Sequence, residues 1–407
     1  MAHPPRTNHD SFYQDGAFVT LSNWRLGLST FVGVMLALTA AGLAAAHHMD
    51  INGHWVTGMN NHVVWGIPHV FAVFLIVVAS GALNVASLSS VLGRAHLKPL
   101  ARVSVMLSVC LLAGGLAVLV LDLGRPDRLV VAMTSYNFRS VFTWNVFLYT
   151  GFIGIGLAYL WTLMDPVVKH WSRRAGVLAL TWRFVLTSGT GFIFGFLVAR
   201  DSYDAALMAP MFVMLSLSAG LAVFTLTIAS IGHLTGQILP DDLLRSLSRL
   251  LAKLALLTFY LTLIMHAANA YVVEQAAFST FVLSGGGGYS TLFWIGFVLF
   301  GTLVPAVVVW TPLSEGRGLL ILANAMVALG GLALVYVTII AGQAYPVDLM
   351  PGYEVVSSTF LDGELAPYAP SAPEWILGIG GAAFGLLLFV VAARVLPLFP
   401  ALARGSR

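Results

Sequence analysis

The chain has 407 residues, of which 58% are hydrophobic and 9% are charged, with a formal net charge of +3. A mean hydropathy of +0.89 excludes a soluble globular domain, because no core of this size hides so much apolar surface, and nothing in the charge balance indicates a nucleic-acid partner. The single cysteine, Cys110, excludes an intrachain disulfide, a CxxCH-attached haem and a cysteine-ligated iron–sulfur cluster within this chain.

Apolar runs long enough to span a bilayer recur along the whole sequence. They predict ten transmembrane helices, at residues 24–46, 63–92, 100–121, 141–164, 176–199, 210–236, 251–273, 292–311, 319–342 and 375–396. We therefore predict an all-α integral membrane protein with a ten-helix domain over residues 24–396, an N-terminal segment over residues 1–23 and a tail over residues 397–407. A signal peptide ending near Ala46 is the alternative for the first run, although the polar segment before it is long.

Lys and Arg are distributed unevenly between the two sides of the predicted bundle. Sixteen of the 20 lie on the side of the chain ends, and the other four are Arg125, Arg128, Arg139 and Arg200. The positive-inside rule then predicts that both termini are cytoplasmic, in a bacterial inner membrane. The loops on the outer, periplasmic side are the long and aromatic ones, which favours a docked partner there. The alternative is that these loops only cap the bundle.

Polar side chains recur in the outer parts of three predicted helices, where they are costly in hydrocarbon and usually face a partner, a cavity or a ligand. His62, Trp65 and His69 recur at helical spacing, so we expect them to share a face of the second helix. His266 and Asn269 share a face of the seventh helix. The connection into the fourth helix and the start of that helix supply the remaining candidates: Asp122, Arg125, Asn137, Arg139, Ser140 and Asn145.

These groups are compatible with several kinds of site. A quinone pocket needs hydrogen-bond donors, an aromatic wall and a group that exchanges protons with water, and the set supplies all three. A haem b needs two facing imidazoles, for which His69 and His266 are available. Each histidine alone is equally consistent with a hydrogen bond between helices. Arg125 either stabilises negative charge on a bound quinol or forms an ion pair with Asp122.

Nearer the inner side, Arg183 and His233 are the notable polar residues of a proton path towards the cytoplasm, although Arg183 is expected to snorkel to the inner headgroups. A solute or ion transporter is a further alternative, but its polar groups would lie near the bilayer midplane. Residues 80–93, SGALNVASLSSVLG, resemble residues 219–232, AGLAVFTLTIASIG. This likeness is compatible with two duplicated four-helix bundles plus two extra helices.

Two short motifs resemble a known family. LDLGRP at residues 121–126, followed by NFRS at residues 137–140, is similar to the NrfD/PsrC family of membrane subunits of polysulfide-reductase-type complexes. Longer stretches resemble the DsrP branch of that family, from DsrMKJOP complexes of dissimilatory sulfur metabolism. They lie at residues 65–75 (WGIPHVFAVFL), 79–87, 207–224 and 344–358 (AYPVDLMPGYEVVSS).

The resemblance implies a subunit that holds no metal and is not active alone. It implies that the subunit exchanges electrons and protons with menaquinone or ubiquinone beside a DsrO-like iron–sulfur subunit on the outer face. The positions that match the family motif are Asp122, Gly124, Arg125, Asn137, Arg139 and Ser140. The other candidates, Trp65, His69, Asn145, His266 and Asn269, rest on helix position alone. A purely structural anchor for outer redox subunits is the alternative.

Overall fold

The computed structural model describes residues 13–21, 25–91, 93, 95–200, 202–236, 239–347 and 363–402. Most of the stretch at residues 344–358, whose likeness to the DsrP branch is noted above, therefore lies outside the described residues. Within them, ten helices are long and apolar enough to cross a membrane, which confirms the predicted all-α membrane architecture. We number them α1 to α10: Leu26–Asn52, Ile67–Ser89, Leu97–Leu121, Val141–Met164, Lys169–Gly195, Met208–Thr235, Asp241–Tyr271, Gly288–Trp310, Arg317–Ala344 and Ala372–Val395.

Several helix starts differ from the hydropathy boundaries, and two of these differences have a local cause. Helix α2 begins at Ile67 rather than at residue 63, with Pro68 in its first turn, where a missing N–H costs nothing. Helix α7 begins at Asp241 rather than at residue 251. Pro240 precedes it and two aspartates occupy its first turn, where negative charge complements the helix dipole. That polar first part escapes a search for apolar runs.

The helices pack as two four-helix bundles and a pair. Helices α2 to α5 form the first bundle and α6 to α9 form the second, joined mainly by α2 and α5 against α6. Helices α1 and α10 pack on each other, and α10 lies against α2 and α3. The predicted arrangement of two bundles plus two extra helices is confirmed.

The bundles cross where two glycines meet. A Cβ atom added to Gly81 of α2 would lie 1.7 Å from the backbone oxygen of Ser216, and one added to Gly220 of α6 would lie 2.4 Å from backbone atoms of Gly81. Only glycine permits this approach. Gly81 and Gly220 occupy the same place in the two similar segments at residues 80–93 and 219–232. The internal likeness therefore coincides with the contact between the bundles.

The two chain ends meet on one face. Strand β1 (Tyr13–Val19) pairs antiparallel with strand β2 (Phe399–Leu402). Arg102, at the start of α3, donates to the backbone oxygens of Leu163 and Pro397. The even number of spans among the described residues likewise places both termini on one side, the side that the positive-inside rule predicts to be cytoplasmic.

Candidate functional site

A carboxylate and two imidazoles meet at the outer end of the first bundle. Asp122 follows the last residue of α3, and His69 lies in the first turn of the neighbouring helix α2. The Nδ1 atom of His69 lies 2.7 Å from Oδ2 of Asp122. The Nε2 atom of His54, from the α1–α2 connection, lies 3.8 Å from Oδ1 of Asp122 and 3.2 Å from its backbone oxygen. The Asp122 side chain itself has no exposed surface.

The imidazoles set the charge state of this cluster. Burial alone would raise the pKa of Asp122, but the close imidazoles of His54 and His69 lower it below the usual value. The hydrogen bond to Asp122 raises the pKa of His54 against the opposing effect of burial. Because 31% of the His54 side chain is exposed, it links the buried carboxylate to water. The cluster can hold a proton and exchange it with water at this end of the bundle.

Trp65 forms an aromatic wall beside His69, although the spacing argument for it is wrong. His62 and Trp65 precede α2 in an irregular segment, so they do not share a helix face with His69. The Trp65 ring nevertheless stacks on the His69 ring, with centroids 6.3 Å apart and an interplanar angle of 25°. Phe142 of α4 and Phe194 of α5 meet Trp65 edge-on. The site thus involves α2, α3, α4 and α5.

Two residues absent from the sequence-based candidates hold this segment in place. Gln343 of α9 accepts hydrogen bonds from the backbone N–H groups of Val64 and Trp65, and donates one to the Trp65 oxygen at 3.0 Å. Arg200 donates to the backbone oxygens of Gln343 and His62. The only sequence signal for these hydrogen bonds is that Arg200 is one of the four arginines on the predicted outer side. The sequence carries no signal for Gln343, because its role depends on contact between distant segments.

Asn145 is a second buried polar group of the first bundle. Its side-chain nitrogen donates to the backbone oxygens of Val141 at 2.9 Å and Gly189 at 3.3 Å. Its Oδ1 atom has no hydrogen-bond partner among the described residues. An acceptor left unpaired inside a bundle is costly unless a ligand or water satisfies it.

The connection between α3 and α4, which carries Arg125, Arg128 and Arg139, is separate from the buried carboxylate of Asp122. Arg125 does not pair with Asp122, so that alternative is wrong: its Nε and a terminal nitrogen donate to both carboxylate oxygens of Asp127, at 2.9 and 2.8 Å, and 64% of its side chain is exposed. Asn137 accepts a bond from the Arg139 backbone, and its own backbone oxygen accepts one from Ser140. These residues shape an exposed turn that leads into α4.

His266 and Asn269 lie in the other bundle. Both are buried on α7, where Nδ1 of His266 lies 3.3 Å from the Ser279 hydroxyl and its ring meets Phe293 edge-on. His69 instead faces Asp122 in the first bundle. The two imidazoles therefore lie in different bundles and contact different partners, whereas a haem b needs two imidazoles that face each other.

Arg183 does not snorkel to the headgroups, contrary to the expectation. It is 1% exposed and donates to the backbone oxygen of Ser80 at 3.1 Å, so its charge lies inside the first bundle. Backbone dipoles and the nearby Phe184 ring compensate it there. His233 is exposed near the end of α6.

The amino-acid sequence of the chain matches a known protein family. The family model described as "Polysulphide reductase, NrfD" matches residues 55–347, which include all ten candidate residues. The "Hdr-like menaquinol oxidoreductase integral membrane subunit" of Archaeoglobus fulgidus is 29% identical over 373 residues, covering 90% of this chain and 92% of the relative.

Two further relatives agree with this match. The C subunit of the polysulfide reductase of Wolinella succinogenes is 26% identical over 312 residues, covering 70% of this chain and 96% of that protein. The "Menaquinone reductase, integral membrane subunit" of Nitratidesulfovibrio vulgaris is 23% identical over 389 residues, covering 88% and 89%. The chain belongs to the NrfD family of polysulphide reductase membrane subunits.

Proposed function

We propose that this chain is the quinone-reactive membrane subunit of a respiratory reductase complex, and that His69 and Asp122 form its proton-exchanging pair. The 2.7 Å contact between an imidazole and a fully buried carboxylate carries the proposal. The relatives named as menaquinol or menaquinone oxidoreductase subunits support it and favour menaquinone over ubiquinone.

A bound quinol supplies two electrons and two protons, and the residues of the chain would manage the protons. Asp122 faces Nδ1 of His69, which favours a proton on that nitrogen and leaves Nε2 as the acceptor. The carboxylate then stabilises the positive charge that His69 gains, as a buried aspartate does beside a catalytic histidine. His54 would pass the proton on to the outer solution, because it contacts the same carboxylate and is partly exposed.

Two other groups would position the quinone head. The Trp65 ring, held by Phe142 and Phe194, offers a flat apolar surface beside His69. The unpaired Oδ1 of Asn145 can accept a hydrogen bond from a quinol hydroxyl. An aromatic surface combined with a few polar groups is typical of the residues that bind small planar ligands.

The electron partner would dock on the outer loop between α3 and α4. This loop exposes Val130, Val131 and Phe138 to 65%, 59% and 59%, alongside the exposed arginines Arg125 and Arg139. An apolar patch rimmed by charge is typical of a protein interface. We propose a DsrO-like iron–sulfur subunit as this partner, within a DsrMKJOP-type complex of sulfur metabolism in the bacterial cytoplasmic membrane.

The direct test is menaquinol oxidation by the purified complex carrying His69→Gln. We expect a fall in kcat of about 100-fold, the scale of a lost general base, with the subunits still assembled. His48→Gln is the control. His48 is an exposed histidine near the end of α1, and its imidazole contacts Asn52 rather than Asp122. Unchanged turnover in the assembled His69→Gln complex would exclude this pair from quinone chemistry.

A further inference from the structure

A cavity of about 850 Å³ lies on the other side of α2. Its walls come from the outer ends of α2, α8, α9 and α10, and its rim is the glycine run at residues 285–288. Ile67, Val70 and Phe71 form the α2 wall. At about 100° per residue, Ile67 and Phe71 lie about 200° around the helix from His69. The cavity is therefore separated from the His69–Asp122 pair by the body of α2.

The walls of this cavity are aromatic near the rim and aliphatic below. Tyr289 and Tyr336 stack with centroids 6.3 Å apart and an interplanar angle of 29°, and Phe71 meets Trp375 edge-on at 6.0 Å. The aliphatic wall includes Leu332 of α9. An aromatic end joined to an aliphatic groove suits an amphiphile with a flat ring and a prenyl tail.

Two hydroxyls are available to such a ring. Tyr368 is already committed, because its hydroxyl accepts from the Ile67 N–H at 2.7 Å and donates to the buried carboxylate of Glu374. The hydroxyls of Tyr289 and Tyr336 form no hydrogen bond with any residue in the described part of the protein. Hydroxyls at an aromatic wall can donate to the carbonyl oxygens of a quinone or accept from a quinol.

The charge of the lining distinguishes a quinone from a phospholipid. Among the described residues, none of the side chains that line the cavity is charged, so no Arg or Lys is present to bind a phosphate. A neutral ring needs no such partner. The glycine rim leaves the entrance open, since a Cβ atom on Gly287 or Gly288 would meet nothing within 4 Å.

The backbone on both sides of the cavity departs from the regular α-helix. Helix α8 winds as a π-helix over Leu292–Leu303 and α9 over Val337–Ala341. Leu292 lines the cavity, and Tyr336 directly precedes the second π segment. Such winding is uncommon and is found frequently at functional sites.

We infer that this cavity is a second binding site for a neutral prenylated quinone or quinol, held between Tyr289 and Tyr336 at the outer end of the second bundle. The inference goes beyond the proton-exchanging site and does not depend on it. The second site binds the same class of molecule on the opposite face of α2, where it would hold a quinone next to the bilayer.

The test is photolabelling of the intact complex with an azido-substituted menaquinone analogue that carries two prenyl units, in nanodiscs of phosphatidylethanolamine and phosphatidylglycerol. We expect label in the segment 285–336, displaced by excess unlabelled menaquinone. Leu332→Trp should fill the cavity and lower that label at least tenfold. Leu322→Trp is the matched control, because Leu322 is an exposed residue of α9 that does not line the cavity, and it should leave the label unchanged.

A second variant tests the site without the risk that a large substitution causes misfolding. Tyr336→Phe removes one hydroxyl and almost no volume, so the label in the segment 285–336 should fall about threefold while the complex stays assembled. Absence of menaquinone-displaceable label there in the wild type, or phospholipid as the only molecule retained, would overturn the inference. Label confined to the cavity, with unchanged turnover in His69→Gln, would instead refute only the function proposed for His69.

Discussion

The Nδ1 atom of His69 lies 2.7 Å from Oδ2 of Asp122, joining the first turn of α2 to the end of α3. A guanidinium partner would keep the carboxylate in a permanent ion pair, because arginine does not lose its proton. An imidazole partner has two ring nitrogens that can each donate or accept a proton, so the same contact need not be a permanent ion pair. Because its close partner is His69 and not Arg125, the Asp122 carboxylate can take part in proton transfer.

Asp122→Asn should abolish most quinol turnover while sparing the fold. The amide keeps the volume but cannot stabilise a protonated His69, so we expect kcat for menaquinol oxidation to fall by about 100-fold. Asp242→Asn is the control, because Asp242 is an exposed carboxylate at the start of α7 that pairs with Arg245, and turnover of this variant should stay within about twofold of wild type. Equal rates for both variants would refute a proton role for Asp122.

His54 should stabilise the protein more at low pH than at high pH. The hydrogen bond to Asp122 raises the pKa of His54, so its stabilising contribution is complete below the unfolded pKa of about 6.5 and is lost as pH rises through the folded pKa. The pKa of Asp122 is lowered, so the carboxylate stays ionised over this range and its own contribution is lost only in acid.

The measurement is the melting temperature of the detergent-solubilised protein, with and without His54→Gln, at pH 6 and pH 9. We expect the variant to melt lower than wild type at pH 6 and the gap to narrow at pH 9. His233→Gln, which removes an exposed imidazole near the end of α6, should show no such narrowing. A gap for His54→Gln that is constant with pH would exclude a charged His54–Asp122 contact.

The architecture could be predicted from the sequence because it depends on local composition. Apolar runs of about 20 residues have few alternatives in a bilayer, and the likeness of residues 80–93 to residues 219–232 is compatible with the two bundles. The partners of the polar groups could not be predicted in the same way. Arg125 is three residues from Asp122, and an ion pair between them is one of the two roles that the sequence leaves open for Arg125, yet packing of α2 on α3 brings His69 to the carboxylate instead.

The errors at Trp65 and Arg183 have a similar origin. Helical spacing predicts a shared face for Trp65 and His69 only if both lie in one helix, but α2 begins after Trp65, as Pro68 in its first turn indicates. The position of Arg183 along the sequence predicts that it reaches the headgroups, but α5 turns it towards the backbone oxygen of Ser80. Gln343 was missed because only tertiary contacts give it a role.

Gly81→Ala should destabilise the contact between the bundles. The added Cβ would lie 1.7 Å from the backbone oxygen of Ser216, and a backbone atom, unlike the end of a flexible side chain, cannot rotate away. We expect the free energy of unfolding to fall by about 1–3 kcal/mol or more, the range for overpacked cores. Gly154→Ala is the control, because its Cβ would meet nothing within 4 Å and alanine favours a helix. Thermal stability measured by fluorescence-detected size exclusion tests this, and equal melting of both variants would contradict the crossing at Gly81.

Arg125→Glu should weaken partner docking and leave the quinone chemistry intact. Arg125 is exposed and pairs only with Asp127 among the described residues, so reversal of its charge alters the outer surface without touching the buried Asp122. We expect less iron–sulfur subunit to co-purify, with a smaller difference from wild type in high salt, because salt screens exposed charges. Arg174→Glu is the control, since Arg174 is exposed near the start of α5 and stacks on Trp171. If Arg125→Glu retains its partner but loses menaquinol oxidation, Arg125 acts on the quinone, as one sequence-based alternative holds.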